Sequence, residues 1–260
     1  MAKVQCMATI TAVTELVEGI YSMWLLAPEV AKQAVPGQFI SLYCKDTDKL
    51  LPRPISLCEI NREEGTLRLV YRVAGAGTAE FSKMNAGDEI KILGPLGNGF
   101  PLDECGAGKK AVLIGGGIGI PPMLQMAKEL EGETTVVVGY RDANTFLLKE
   151  FEEAADHVVI ATEDGSLGTK GNVIDAIRAE GVSGDVIYSC GPTPMLRGVK
   201  AWGLEAEIPA WVSMEEKMAC GIGACLACVC QSTEVDHHSN VNNKRICKDG
   251  PVFLSTDIEL

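Results

Sequence analysis

The stretch AVLIGGGIGIPPM, Ala111 to Met123, runs from a continuous apolar segment through four glycines into two prolines. An unbroken apolar run suits a strand covered on both faces. Glycines at its end let the chain turn tightly, so that backbone N–H groups approach a pyrophosphate at the positive end of a following helix. From Gly117 the pattern reads G-x-G-x-x-P, where a third glycine is usual. Proline fits the first helical turn, since its missing N–H has no intrahelical partner there. Taken alone, a plain tight turn explains the stretch equally well.

Outward from this point the style repeats. TVVVGYR (135–141), HVVIATED (157–164) and DVIYSCGP (185–192) are further apolar runs. The stretches PPMLQMAKELEG (121–132), TFLLKEFEEAA (145–155), NVIDAIRAEG (172–181) and TPMLRGVKAWG (193–203) between and after them read as helices. Strand and helix in alternation over residues 108–210 predict a parallel α/β sheet. Ser189-Cys190-Gly191-Pro192 ends a second strand of that sheet in a glycine turn, and ligands bind beyond such carboxyl ends. Two glycine turns favour a dinucleotide site. Glu163 and Asp164 end another strand, where a carboxylate either contacts a ribose hydroxyl, favouring NAD over NADP, or is simply a solvated turn residue.

Residues 1–102 differ. MATITAVTEL, QFISLYC, TLRLVYRV and DEIKIL alternate or carry β-branched residues, with Gly37, Gly65 and Gly87 in the turns between them. Short strands without a convincing helix predict a small antiparallel barrel or sandwich. DECGAGKK (103–110) reads as a linker to the α/β domain.

Residues 211–260 show neither periodicity, and fifty residues of this kind need help to form a core. Of ten cysteines in the chain, Cys220, Cys225, Cys228, Cys230 and Cys247 fall in the last 41 residues. Cys220-x4-Cys225-x2-Cys228, with Cys247 after eighteen more residues, is the plant-type [2Fe–2S] spacing. Gly221 and Gly223 let the backbone wrap a small inorganic core and aim its N–H groups at sulfur. Structural zinc usually takes paired C-x2-C knuckles, and one such pair is present. Cys230 competes for a ligand place; the spacing favours Cys228 and leaves Cys230 a spare buried thiol. His237 and His238 are adjacent in a polar loop and read as surface residues.

The 260 residues are 47% apolar and 22% charged, with a net charge of −12. That balance disfavours nucleic-acid binding, and the spread of acid along the chain reads as solubility. The longest uncharged stretch, Ala111–Ala127, is too short and too rich in glycine and proline to span a membrane. The N-terminus lacks a signal-peptide layout. A cytoplasmic location follows as an expectation, with the cysteines not paired in disulfides.

Arg53-Pro54-Ile55-Ser56, followed by Tyr71-Arg72 and Gly75-x-Gly77-Thr78, resembles the flavin-binding signature of the ferredoxin–NADP reductase superfamily. Gly94-Pro95-Leu96-Gly97 and Ser189-Cys190-Gly191-Pro192 match it too. With the terminal MACGIGACLACVC…RICKDGPVF, the whole chain resembles the electron-transfer subunits of class B dihydroorotate dehydrogenases. The resemblance implies three parts: an FAD-binding antiparallel β-barrel domain (1–102), an NAD-binding α/β domain (108–210) and a [2Fe–2S] segment (211–260). It implies that Arg53 pairs with the FAD pyrophosphate and that Ser56 lies near flavin N5, in a site with Pro54 and Ile55 that Val70, Tyr71, Arg72, Gly77 and Thr78 complete. Gly115, Gly116, Gly117 and Gly119, with Cys190, Gly191 and Pro192, would border NAD. Cys220, Cys225, Cys228 and Cys247 would hold the cluster. The implied partner is an FMN-containing dihydroorotate dehydrogenase catalytic subunit, two copies of each chain. Nicotinamide exchanges two electrons as a hydride and a cluster one at a time, so a flavin between them makes a consistent set. The alternative is an NAD(P)H-dependent flavin and iron–sulfur reductase serving ferredoxin or sulfide metabolism.

Overall fold

The computed structural model describes residues 3–45, 48–236 and 240–260. In chain order, the first part comprises β1 (Val4–Val17), β2 (Ile20–Leu26), α1 (Pro28–Ala31), β3 (Phe39–Leu42), β4 (Arg53–Asn61), β5 (Thr66–Arg72), α2 (Ala76–Phe81) and β6 (Glu89–Leu96). The six strands close into a barrel in the order β1-β2-β5-β4-β3-β6, every pairing antiparallel. Alternate side chains point inward, as period-two strands require: Ala8 and Ile10, Met23 and Leu25, Leu67 and Leu69, and Ile90 and Ile92 form one core. Register shifts in β1, after Ile10 and after Glu15, bend this long strand around the barrel. Gly65 turns β4 into β5 at φ +68°, and a Cβ there would stand 2.7 Å from Pro28.

The barrel also contains two helices absent from the sequence reading, α1 and α2. Four and six residues are too few to display a 3.6-residue periodicity. α2 is started by Thr78, whose Oγ1 accepts the N–H groups of Ala74 at 2.9 Å and Gly75 at 3.2 Å.

The second part comprises β7 (Lys110–Gly116), α3 (Pro122–Glu129), β8 (Glu133–Tyr140), α4 (Leu148–Ala154), β9 (His157–Thr162), β10 (Thr169–Lys170), α5 (Val173–Glu180), β11 (Val186–Cys190), α6 (Thr193–Glu205) and β12 (Ala210–Ser213). These strands pair in parallel in the order β10-β9-β8-β7-β11-β12. All four expected helices form. The second begins three residues late, because Leu147 takes a left-handed φ of 62° that a helix cannot include. α5 begins at Asn172, whose side chain caps the N–H groups of Ile174 and Asp175.

α3 lies between the two parts. Gln125 accepts the buried N–H of Ile60 at 2.6 Å, and Glu129 pairs with Arg62 at 2.7 Å. Lys128 pairs with Glu59, which also binds Arg68 at 2.6 Å. Tyr188 donates its hydroxyl to Pro101 O at 2.7 Å.

The remaining strands are β13 (Val229–Asp236), β14 (Val241–Arg245) and β15 (Val252–Leu254). β13 and β14 form a hairpin. β15 returns antiparallel to β12 and becomes the edge strand of the large sheet. Cys228, Ile246, Cys247, Phe253 and Ile258 share a core with Phe39 and Leu96 of the barrel and Leu196 and Val212 of the α/β part. The help that these residues need therefore comes in part from both neighbours.

Candidate functional site: a cleft, two glycine turns and a thiol cluster

β4 pairs with β3 through Arg53–Ser56 but with β5 only from Leu57, whereas β5 pairs with β2 as far as Arg72. The two strands part, and a cleft of about 320 Å³ lies in the gap. Arg53, Pro54, Ile55 and Ser56 form one wall, and Val70, Tyr71, Arg72 and Thr78 a second. Pro54 fits a parting strand, since it has no N–H to pair. Gly77 lines no part of the cleft but makes room for it: a Cβ there would stand 2.2 Å from Arg53 Nε. The guanidinium thus lies against the start of α2, with Nη1 donating to Leu51 O.

Tyr71 is buried, stacked on Tyr21 and edge-on to Phe81, and its hydroxyl has no hydrogen-bond partner. Burial, then the neighbouring Tyr21, raise its pKa, so it stays a neutral donor. A buried orphan hydroxyl beside a cleft calls for a ligand acceptor. That orphan and the room held open for Arg53 fit a large, anionic, partly aromatic cofactor such as FAD.

The far wall comes from outside the barrel. Ile118 reaches in from the glycine turn, and Ser213, Met214, Glu215 and Pro251 from the last part of the chain. Glu215 escaped the sequence reading, because an isolated carboxylate in an aperiodic stretch gives no signal. Burial in the cleft pushes its carboxyl upward, against the pull of the Arg72 charge.

Strand order reverses between β7 and β11, which places a topological switch point beyond their carboxyl ends. The two glycine turns meet there. β7 runs through Gly115 and Gly116, a single 3₁₀ turn covers Gly117–Gly119, and α3 begins at Pro122. A Cβ on Gly119 would stand 2.3 Å from Cys190 O, and one on Gly115 2.8 Å from Ile120 Cα. On the other side, Gly191 would meet Met195 Cε at 2.4 Å. Gly117 has open space and a φ of +54°, so its need is conformational. Cys190 is fully buried; burial, then the Glu215 charge, push its thiol upward. Pro192 begins α6 as its N-cap. Asp164 accepts from Ser166 Oγ at 2.6 Å and Ser166 N at 2.9 Å, which hold its carboxyl below the ordinary range and give it a turn-stabilising role. Glu163 stays exposed.

The four expected cysteines come together as two thiol pairs, Cys220 with Cys225 and Cys228 with Cys247. Among the described residues no three His, Cys, Asp or Glu side chains form a site for a single ion; a two-iron core needs two pairs. Backbone N–H groups already point at sulfur: Ile222 and Ala224 donate to Cys220 Sγ at 3.4 and 3.3 Å, and Gly223 to Cys247 Sγ at 3.1 Å. Burial pushes Cys220 upward, but the N–H groups of Ile222, Cys225 and Ala224 and the Cys225 thiol outweigh it and bring its pKa down to about 6. Burial, then the Cys228 thiol, push Cys247 up to about 12. Such an N–H-lined thiol set fits an anionic iron–sulfur cluster. Cys230 belongs to neither pair: it lies on β13 opposite Lys244, half-buried, and burial raises its pKa. His237 and His238 lie outside the described residues.

Three family models lie end to end on the chain. An oxidoreductase FAD-binding domain matches residues 10–100, and an oxidoreductase NAD-binding domain residues 113–201. The iron–sulfur cluster binding domain of dihydroorotate dehydrogenase B matches residues 215–259. The dihydroorotate dehydrogenase B (NAD(+)) electron transfer subunit of Listeria monocytogenes serotype 4a is 44% identical over 250 residues, 95% of this chain and 96% of that one. Its namesake from Geobacillus sp. WCH70 is 42% identical over 250 residues, 94% and 95% of the two chains. Among solved structures, an NADH-dependent reduced ferredoxin–NADP oxidoreductase aligns with a TM-score of 0.85 at 30% identity, over 98% of this chain and 90% of that one. A ferredoxin–NADP⁺ reductase from Neisseria gonorrhoeae shares the fold at 17% identity and a TM-score of 0.64, over 83% and 95%. Matched along nearly its whole length, with flavin, dinucleotide and cluster sites in that order, the chain belongs to the family of dihydroorotate dehydrogenase B electron-transfer subunits.

Proposed function

We propose that this chain carries electrons from the FMN of a dihydroorotate-oxidising catalytic subunit to NAD⁺, through a [2Fe–2S] cluster and FAD, in pyrimidine biosynthesis. The observation that carries this reading is that the cleft is lined from the dinucleotide turn and from the cysteine-bearing segment as well as from the barrel. Ile118 of the dinucleotide turn and Pro251, four residues after Cys247, both line the cleft that Arg53 and Tyr71 form. When bound, FAD exchanges a hydride with nicotinamide and single electrons with the cluster.

The chain's own residues bind and orient. Arg53 neutralises the FAD pyrophosphate with its fork of donors, Pro54, Ile55 and Ser56 lie along the flavin, and Tyr71 donates its unpartnered hydroxyl. Val70, Arg72 and Thr78 complete the wall, and Gly77 admits Arg53. Gly115, Gly116, Gly117, Gly119, Cys190, Gly191 and Pro192 shape the dinucleotide site at the switch point. Cys220, Cys225, Cys228 and Cys247 hold the cluster. FAD thus occupies residues 1–102, NAD 108–210 and the cluster 211–260, with β15 of the last segment completing the large sheet.

The partner docks at the cluster. Cys225 is exposed, and Ile222, Leu226, Val229, Val235 and Val241 present apolar side chains to solvent on the same short segment. Exposed apolar residues grouped in this way mark an interaction surface. We take the assembly as two copies of each subunit. None of the ten cysteines is paired in a disulfide, and we take the setting as cytoplasmic. No helix among the described residues is long and apolar enough to cross a membrane.

The likeness to a reduced ferredoxin–NADP oxidoreductase favours a second reading, in which ferredoxin is the cluster's partner. Visible spectra of the anaerobically purified protein separate the two. NADH is expected to bleach both flavin and iron–sulfur absorbance. Dihydroorotate with the catalytic subunit is expected to bleach them from the other end. Bleaching by reduced ferredoxin but not by dihydroorotate selects the second reading, and a colourless protein containing zinc overturns both.

A further inference from the structure

The segment Cys247–Pro251 joins two sites: its first residue belongs to the thiol cluster and its last lines the flavin cleft. An unsupported loop of this length has two soft dihedrals per residue and lets the separation of its ends vary. Here it is tied from both sides. Arg245 folds its guanidinium over the turn, donating from Nε to Asp249 Oδ2 at 2.9 Å and from Nη2 to Oδ1 at 3.1 Å. Its backbone N–H donates to the same carboxylate at 2.8 Å, and its carbonyl accepts the N–H groups of Lys248 at 3.0 Å and Asp249 at 2.7 Å.

From the barrel side, Asn98 donates its side-chain amide to Asp249 O at 2.9 Å and its backbone N–H to Gly250 O at 2.7 Å. Arg245 also reaches the other cysteine loop. Its Nη1 stands 3.5 Å from Gly223 O, and Gly223 N–H is the group that donates to Cys247 Sγ. One guanidinium therefore spans both loops that supply thiols.

We propose that Arg245, Asp249 and Asn98 are positioning residues: they hold Cys247–Pro251 as a strut of fixed length between cluster and flavin and keep the Gly223 N–H aimed at the Cys247 sulfur. The inference rests on the cluster and flavin assignments made above. A two-pronged contact of this kind needs a planar guanidinium, which a lysine ammonium does not reproduce. An N–H donated to a ligating sulfur favours the reduced, more negative cluster, so its loss lowers the potential. A half-exposed ion pair with only a structural role contributes little and leaves the potential where it was.

The test uses the full chain loaded with FAD and cluster, as wild type, Arg245→Lys, Asp249→Asn and Asn98→Ala. The cluster potential and the rate of cluster loss to a chelator are measured, with FAD content and flavin potential recorded on the same samples. Arg245→Lys and Asp249→Asn are expected to lower the cluster potential and to speed cluster loss roughly 10- to 100-fold, as outer-shell partners of metal ligands do. FAD content and flavin potential are expected to stay at wild-type values. Asn98→Ala keeps its backbone bond to Gly250 and is expected to shift both cluster readings in the same direction by less. Unchanged cluster readings in all three variants, or FAD and cluster lost together, overturn the proposal. Wild-type protein that takes up no cluster overturns the functional reading itself.

Discussion

The nucleotide sites and the cluster site are built in opposite ways. Arg53–Ser56, Val70–Arg72 and Gly115–Gly116 lie on strands whose far edges are hydrogen-bonded and whose other faces pack in large cores. Their geometry stands before any ligand arrives. The stretch 214–228, which carries Cys220 and Cys225, contains no helix and no strand. Only Cys228 and Cys247 of the four candidate cysteines reach a shared core, and Leu226 is 60% exposed. A site with so little packing of its own takes its order from the metal, and binding energy there is also folding energy. The difference teaches which half of the molecule tolerates loss of its cofactor.

The strongest test of that contrast removes a buried ligand. Cys228→Ser is expected to abolish the cluster and to unprotect the amides of 214–245, while the barrel and the large sheet keep theirs in hydrogen exchange. Cys230→Ser is expected to leave cluster absorbance nearly normal. Cooperative loss of protection throughout the chain breaks the comparison, and the reverse pattern between the two cysteines reassigns the ligand.

A smaller effect is expected where the scaffold is rigid. Gly119→Ala sets a methyl 2.3 Å from Cys190 O, a backbone atom with no room to give. Overpacking of this kind costs about 1–3 kcal/mol, and urea unfolding with NADH titration is expected to show lower stability and weaker NADH binding. FAD and cluster content are expected to be retained; their loss would mean that the two regions are less independent than their packing indicates.

The smallest effect is expected at the joint between barrel and sheet. Burial pushes Glu59 upward, but Lys128 and Arg68 outweigh it and hold its carboxyl below the ordinary range. A carboxyl whose folded pKa is depressed adds stability above its unfolded pKa and loses it as pH falls through the folded value. Glu59→Gln is therefore expected to cost about 1–2 kcal/mol at neutral pH. The gap to wild type is expected to close below about pH 4, as followed by urea unfolding across pH. A gap that persists in acid would assign the stabilisation to packing instead of charge.

Much of the candidate site was legible in the residues. The four cysteines, the two glycine turns and Arg53-Pro54-Ile55-Ser56 are local patterns, because each must satisfy its chemistry within a few residues of chain. α1, α2 and Glu215 were not legible: the first two are too short to show a period, and the third matters only through what folds against it. Asp164, open to two readings in the sequence, is engaged by Ser166 in its own turn.

By itself, the sequence determined the order of the parts and the parallel sheet, since apolar periodicity and motif spacing are properties of neighbours in the chain. Only the tertiary structure decided that the glycine turn and the cysteine-bearing segment each lend residues to the cleft of the barrel. Pro251 and Ile118, 133 positions apart, meet the barrel's Arg53 there because β15 closes the large sheet beside β12. Packing between distant segments carries no local signature, and its reason is the shared core that Phe39, Val212, Cys228 and Phe253 bury together.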